Sequence, residues 1–397
     1  MVRASPGFPY DFDPTARARA RSYERGSRRI SLVGGTLAPG ALALAFWASG
    51  ASRALADATV SASGGSRLAA DTGYIVAFAL LFALLTLPIG FYSGYLREKR
   101  WGMSTRRPRD FAKDASKSVL LGTAFALAIL LPFFAVVRHF AAWWFIAASL
   151  YALYLLFATS VLPNLLIPVF YEVEPLPDGE LRSLVLQASN RAGVPPIRQV
   201  VVMKESAKSR RANAFIHGIG ATRRIVLFDT LLKEFHPREV RFTVAHETGH
   251  LAHRDVPRFF ALTLALVFPE IWLLSLALGE AGAWFGVRGV ADVAIVPLLL
   301  VTASAIGLAD RIAFSWVSRR AEAAADAFAL EVTNDAEAAE SMMKRLCDLN
   351  LIDEAPHPLF ERLLHSHPAP ARRIEAARRF ASLSRSLAPA DSAARAP

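Results

Sequence analysis

The chain has a single cysteine, Cys347, in 397 residues. One thiol excludes an intrachain disulfide framework and a cysteine-built zinc site. No internal repeat is visible, which excludes a solenoid or propeller. Charge is scarce over long stretches: charged residues make up 20% of the chain and hydrophobic residues 53%. Mean hydropathy is +0.32, high for a water-soluble protein. Acidic residues are the minority sign, with 34 Asp and Glu against 45 Lys and Arg, a net charge of +11. Basicity of this size often marks a nucleic-acid binder. Here the basic residues sit in loops between uncharged runs, the positive-inside pattern of a membrane protein. No nucleic-acid partner is expected.

The uncharged runs are long enough to cross a bilayer. Residues 1–29 carry seven Arg among small and polar residues and are expected to form a mobile basic arm. Residues 30–52 form a first span. Gly34, Gly35, Pro39 and Gly40 weaken it, but bilayers tolerate such residues. Ala54-Leu-Ala56 leaves a cleaved signal as a rival reading. Further spans are expected at 72–96 and 118–137, with a fourth within 140–171. Two more follow at 257–279 and 293–316. Loop 97–117 carries eight basic residues, whereas loop 53–71 has two, link 138–139 only Arg138 and link 280–292 only Arg288. The arm and loop 97–117 are therefore placed in the cytoplasm, and six spans satisfy every loop. Glu270, beside Pro269, lies far from either end of its span. It is either a functional group in a cavity or the mark of a shallow helix end, and both readings stand.

Residues 172–256 read as a soluble insert. Asp178-Gly-Glu-Leu starts a helix to about Arg191. Strands are expected at Gln199–Met203, Asn213–His217 and Arg224–Phe228, the last two joined by a Gly218/Gly220 turn. A helix over about 237–254 follows and carries His246-Glu247-Thr248-Gly249-His250. Positions i and i+4 share a helix face, so both rings can meet one metal ion, with Glu247 beside them as general base. Gly249 costs helix stability but permits close approach of another backbone. The Asn213 segment is either a substrate-pairing sheet edge or an ordinary buried strand, and pattern does not decide between them.

A tetrahedral zinc with two His ligands needs one more protein ligand and an open position. Glu322 and Asp326 lie i,i+4 in the Ala-rich stretch after Ser318. Glu322 can ligate while Asp326 hydrogen-bonds a ligand histidine. Taken alone, that stretch is a solvated charged face. His253, one turn beyond His250, is read as lying outside the ligand set. His365-Ser-His367-Pro precedes a helix with Arg373, and a His with an Arg there can stabilise an oxyanion. By itself the same stretch is only a helix start.

Taken together, these motifs resemble the membrane zinc metallopeptidases of the CAAX prenyl protease type, peptidase family M48, over most of residues 75–380. The resemblance rests on Tyr95-Leu-Arg-Glu-Lys-Arg-Trp-Gly102 with Phe111 and Lys117, and on Leu166-Ile-Pro-Val-Phe170. It continues through Lys208-Ser-Arg-Arg-Ala-Asn213-Ala-Phe with His217-Gly218, then Arg224-Ile-Val-Leu-Phe-Asp229-Thr230-Leu231. His246-Glu-x-x-His250, Ser318-Arg-x-x-Glu322-x-x-Ala-Asp326, His367-Pro and Arg373-Ile374 complete it. The resemblance implies one Zn2+ per chain on His246, His250 and Glu322, with Glu247 as catalytic base and Asp326 hydrogen-bonded behind the ligands. It implies that His367 and Arg373 position the substrate and polarise its carbonyl, and that Asn213, Ala214 and Phe215 bind substrate. It also implies seven helices around a water-filled chamber, against the six counted here.

The expected fold is mainly α: a multi-pass helical membrane protein, with a gluzincin-like catalytic domain containing a small β-sheet. Its parts are a basic arm (1–29), four spans (30–171) and the catalytic insert (172–256). Two spans (257–316), catalytic C-terminal helices (317–381) and a disordered tail (382–397) follow. The expected function is zinc-dependent endoproteolysis at a bilayer. The expected substrates are peptides or proteins, prenylated or membrane proteins included, in CAAX-type processing or membrane-protein quality control. The Ala- and Arg-rich composition points to a bacterial inner membrane, with the site facing the cytoplasm. The rival is a catalytically silent scaffold of the same fold. A transporter built on Glu270 has only that one acid in support.

Overall fold

The computed structural model describes residues 7–179, 182–183, 186–187, 197, 199–218, 223–281 and 288–387. The chain divides into two compact units: Met1–Arg25, Thr159–Arg258 and Arg311–Pro397 form one, and Gly26–Ala158 with Phe259–Asp310 the other.

The second unit is a helical bundle. Helix α1 (Pro14–Arg29) enters it and continues through residues 30–37 into α2 (Ala38–Ala48). Gly50, at φ +79°, lets the chain turn into α3 (Ala51–Ala62). Then come α4 (Arg67–Phe91), capped by the Ser66 hydroxyl, the short α5 (Arg97–Arg100) and α6 (Pro108–His139). Next is α7 (Trp143–Ser160), nearly all of it in this unit, whereas α8 (Leu162–Phe170) belongs to the first unit. Among the described residues six helices are long and apolar enough to cross a membrane: Pro14–Ala48, Arg67–Arg100, Pro108–His139, Trp143–Ser160, Asp255–Leu276 and Val293–Thr333. That is the number read from the sequence. The bundle core collects Trp47, Tyr74, Phe78, Phe134, Leu278 and Ile295. Leu80, Leu84, Leu120 and Leu153 point outward and exposed, as the lipid-facing side of a membrane bundle must. Glu270 stands in mid-helix opposite Asp310, paired with another carboxyl and away from any helix end.

The first unit is built on a sheet of β1 (Val173–Pro175), β2 (Gln199–Met203), β3 (Ala214–His217) and β4 (Arg224–Phe228), in the order β1-β2-β4-β3. β2 and β4 are parallel, with Val200 opposite Ile225, and β3 runs antiparallel to β4, with Ala214 opposite Leu227. β1 was not expected; three residues ending in Pro are too short to give an alternating signal. The predicted helix 178–191 lies mostly outside the described residues, and so does Gly220. Gly218 is described, at φ +90° after β3. Helices α9 (Asp229–Glu234) and α10 (Pro237–Ala252) follow the sheet. α11 (Asp255–Ala281) and α12 (Val296–Thr333) come next, with residues 259–310 in the second unit, and α13 (Ala336–Asn350), α14 (Pro358–Leu364) and α15 (Pro370–Leu387) close the chain. The core joins Ile225 and Leu227 of β4 to Phe242 and Val244 of α10 and Met342 of α13.

Two expectations about the ends need correction. Residues 7–25 are no mobile arm. The Tyr10 hydroxyl donates to Asp348 at 2.9 Å, the Asp13 amide donates to the same carboxylate at 2.8 Å, and Arg17 pairs with Glu354. Phe8 stacks on His236, with ring centroids 4.7 Å apart. Composition read the arginines as solvated and passed over the aromatic anchors between them. At the other end α15 runs to Leu387, so the expected tail 382–397 begins as helix. Residues 388–397 lie outside the described residues.

Candidate metal centre

α10 is a strongly specified helix. Pro237 occupies its first turn, the His236 ring accepts from the Arg238 amide, and the Glu239 carboxylate accepts from the His236 amide at 2.7 Å. This is a reciprocal cap with a proline start. Glu239 is completely buried and also pairs with Arg345 of α13 at 2.9 Å. The cap thus anchors α10 to α13. One α10 face buries Val240, Val244 and Ala245. The adjoining face carries His246, Glu247 and His250.

α12 supplies the acids. It packs against α10 at Gly249, where an added Cβ would stand 3.0 Å from the Ala325 Cα and 3.2 Å from the Ala325 carbonyl oxygen. This contact brings Glu322 and Asp326 to the histidines. His246, His250 and Glu322 each offer a ligand atom, all within 4.8 Å of one another. The two imidazole rings are nearly perpendicular, at 88°, with centroids 5.0 Å apart. His246 Nδ1 lies 2.9 Å from Asp326 Oδ1, and His250 Nδ1 lies 2.8 Å from Asp255 Oδ2. Each ring is therefore held by a carboxylate at Nδ1, which leaves both Nε2 lone pairs for a metal. The Nε2 atoms lie 3.3 and 3.6 Å from the two Glu322 oxygens.

The donor set fits a zinc-type cation. Glu322 is buried, and its Oε2 makes no aligned hydrogen bond even though His367 Nδ1 lies 2.8 Å away. A buried carboxylate oxygen without such a bond is costly unless a cation meets it. Burial alone would lower the His246 pKa. Hydrogen bonds to Asp326 and Glu322 outweigh it and hold the pKa at about 9. Burial pushes the Glu247 carboxyl pKa above its ordinary value, against the pull of His246 and His250. That direction suits a group that accepts and returns a proton near neutral pH.

A cavity of about 470 Å³ opens beside this cluster, lined by Arg211, Asn213, Glu247, Met343, His367 and Arg373 among others. His367 is more than half exposed and faces Glu322. Arg373 arrives differently from expectation. Its guanidinium makes a two-pronged bond to Asp326, at 2.6 and 2.7 Å, with the nearer nitrogen 3.5 Å from His246 Nδ1. It braces the carboxylate that holds His246. β3 forms one edge of the sheet, with Asn213 just before it and Ala214 and Phe215 within it. Asn350 of α13 donates to and accepts from the Ala212 main chain, both at 2.9 Å, fixing the approach to that edge. His253 turns away and packs edge-on against Phe328 at 5.8 Å. Asp255 was missed by sequence reading. Its only signal was an acid shortly after the second histidine, and the left-handed Arg254, at φ 56°, precedes it.

A family model described as Peptidase family M48 matches residues 175–381, more than half of the chain. The chain belongs to peptidase family M48. A second model, described as CAAX prenyl protease N-terminal, five membrane helices, matches residues 6–172. An uncharacterized metalloprotease of Bacillus subtilis, YhfN, is 29% identical over 314 residues, 78% of this chain and 73% of its own length. A probable CAAX prenyl protease 1 of Schizosaccharomyces pombe is 25% identical over 76% of this chain and 64% of its own length. The crystal structure of Ste24p from S. mikatae has the same fold, with a TM-score of 0.79 at 24% identity, covering 92% of this chain and 89% of that one. The two family matches make the protein an integral, multi-pass membrane metalloprotease of the CAAX prenyl protease-like kind, acting on peptide or protein substrates, and the family implies a metal.

Proposed function

We propose that the metal is zinc, one per chain, held by His246, His250 and Glu322, and that the protein is an endopeptidase. The observation that carries this is the orientation of the donors. Both histidines are tied at Nδ1 to carboxylates and present Nε2 toward Glu322. Cysteine is absent from the site, and two imidazoles with one carboxylate make a donor set characteristic of catalytic zinc. Bound zinc would lower the pKa of a water molecule and polarise the scissile carbonyl.

The remaining steps belong to the chain's own groups. Glu247 takes a proton from the attacking water and delivers it to the leaving amine. Asp326 and Asp255 hold the two rings in orientation, and Arg373 holds Asp326. His367, exposed at the cavity, donates to the developing oxyanion. The outer edge of the described sheet, at Asn213, Ala214 and Phe215, takes the substrate main chain as an added strand, which places the scissile bond beside Glu247. We assign the arrangement to the cytoplasmic side, on the loop charges, and to a bacterial inner membrane, on the Ala- and Arg-rich composition. The substrates are membrane-associated polypeptides. The names of the yeast and plant relatives carry CAAX-type processing of prenylated ends to this chain as the first substrate to try. A silent scaffold would have no use for the intact set His246, Glu247, His250 and Glu322.

Metal removal tests this reading. Dialysis of the detergent-purified protein against a zinc chelator should abolish cleavage of casein and of a prenylated peptide, and about one equivalent of zinc should restore it. Cleavage that survives complete metal removal would contradict it.

A further inference from the structure

The sequence places four arginines, and no lysine, in the segments that join spans at the end of the bundle remote from loop 97–117. They are Arg53 and Arg67 between the first two spans, Arg138 after the third and Arg288 before the last. The positive-inside pattern predicts few charges there and gives no reason for them to meet. All four line one cavity of about 360 Å³ in the membrane unit.

Two of the arginines are built in. Arg53 pairs with Asp292 and with Asp57, the latter at 2.6 Å. Arg138 pairs with the buried Asp71 and donates to the Ala291 carbonyl at 3.0 and 3.1 Å. Their guanidinium forks are thereby fixed in position. Arg67 and Arg288 are exposed, and neither has a carboxylate ion-pair partner among the described residues. Asp57, Asp71 and Asp292 are the carboxylates that pair with this group. Among the residues whose side chains are described, four guanidinium groups face three carboxylates, which leaves positive charge at the cavity. Gathering like charges is unfavourable without an anion to share, and a face that only needed solubility would disperse them. The cavity lies where α4 begins and α6 ends, at the margin of their apolar runs. This is the depth of phosphates in a bilayer, and planar guanidinium forks match phosphate oxygens.

We propose that this cavity binds a phosphate group, carried by an anionic phospholipid headgroup or as a soluble phosphate. Arg53 and Arg138 form the fixed floor of the site, and Arg67 and Arg288 close over it. The site is independent of the peptidase reading.

The test uses the full chain and the variant R67Q/R288Q, which removes the two unpaired guanidinium groups and leaves the Asp-paired ones intact. In the lipid arm, native mass spectrometry reads retention of phosphatidylglycerol against phosphatidylcholine from mixed nanodiscs. Wild type should prefer phosphatidylglycerol, and the variant should lose on the order of tenfold of that preference. In the soluble arm, thermal unfolding is followed with inorganic phosphate against chloride at equal ionic strength. Stabilisation by phosphate in wild type only would assign the soluble source. R67K/R288K, which keeps the charge but not the fork, should retain part of whichever effect is seen and guards against a misfolded double variant. If wild type discriminates in neither arm, or if R67Q/R288Q keeps the wild-type preference, the proposal is overturned.

Discussion

Asp255 shows how residue type and position divide the information at a single site. His246, Glu247, His250, Glu322 and Asp326 were legible because their spacing on helices carries the chemistry. Two rings one turn apart share a face, and two acids one turn apart can meet them. Asp255 lies past the end of α10, and a turn at Arg254 decides where it points. No helical period reports such a contact. Arg373 was legible as a member of the site but not in its posture. The expected contact was the substrate carbonyl, and instead its two nearest donors are committed to Asp326. The orienting acid can be tested directly. Asp255→Asn should weaken zinc affinity by about ten- to a hundredfold in chelator competition, with turnover at saturating zinc much less affected. Unchanged zinc affinity in Asp255→Asn would remove Asp255 from the support of His250.

At the scale of elements, one helix crossing brings the acids to the histidines. Gly249 is the position where α10 and the Ala325 turn of α12 touch. Helix propensity alone favours alanine there by about 1 kcal/mol. The neighbours an added methyl would meet are backbone atoms, which cannot yield as a flexible side chain can. Overpacking of this kind costs roughly 1–3 kcal/mol, so packing should win over propensity. Gly249→Ala is expected to lower the unfolding midpoint by a few degrees and to reduce zinc occupancy, both measured on the same preparation. A midpoint raised above wild type would mean that α10 and α12 are not in close contact. The sequence showed this crossing only as a permissive glycine. It showed three of the four strands, and it left open whether the Asn213 segment was edge or interior. Strand order decides that question: β4 pairs with β3 on one side and with β2 on the other, and no pattern within the Asn213 segment reports that order. The arm failed for a related reason: Phe8, Tyr10 and Phe12 are too sparse to form a pattern, and their partners lie more than 200 residues away.

For the whole molecule, composition and loop charge carried most of the information. Six uncharged runs became six candidate spans, with boundaries extended where helices run on beyond the apolar stretch. The orientation rests on eight basic residues in loop 97–117 against two in loop 53–71. The native Cys347 is buried, so single added cysteines can be read against a quiet background. A membrane-impermeant thiol reagent on intact cells should label Ser61→Cys and miss Arg109→Cys, and the reverse pattern would invert the topology. The central claim is that this membrane protein cleaves peptide bonds with Glu247 as proton carrier at a metal held by other residues. Its most direct test is peptidase turnover of purified Glu247→Gln beside wild type, on one peptide, with zinc content matched. The substitution nearly preserves size, but an amide is no base at neutral pH. We expect zinc, membrane insertion and substrate binding to be retained and turnover to fall by at least about a hundredfold. Wild-type turnover in zinc-loaded Glu247→Gln would contradict the account.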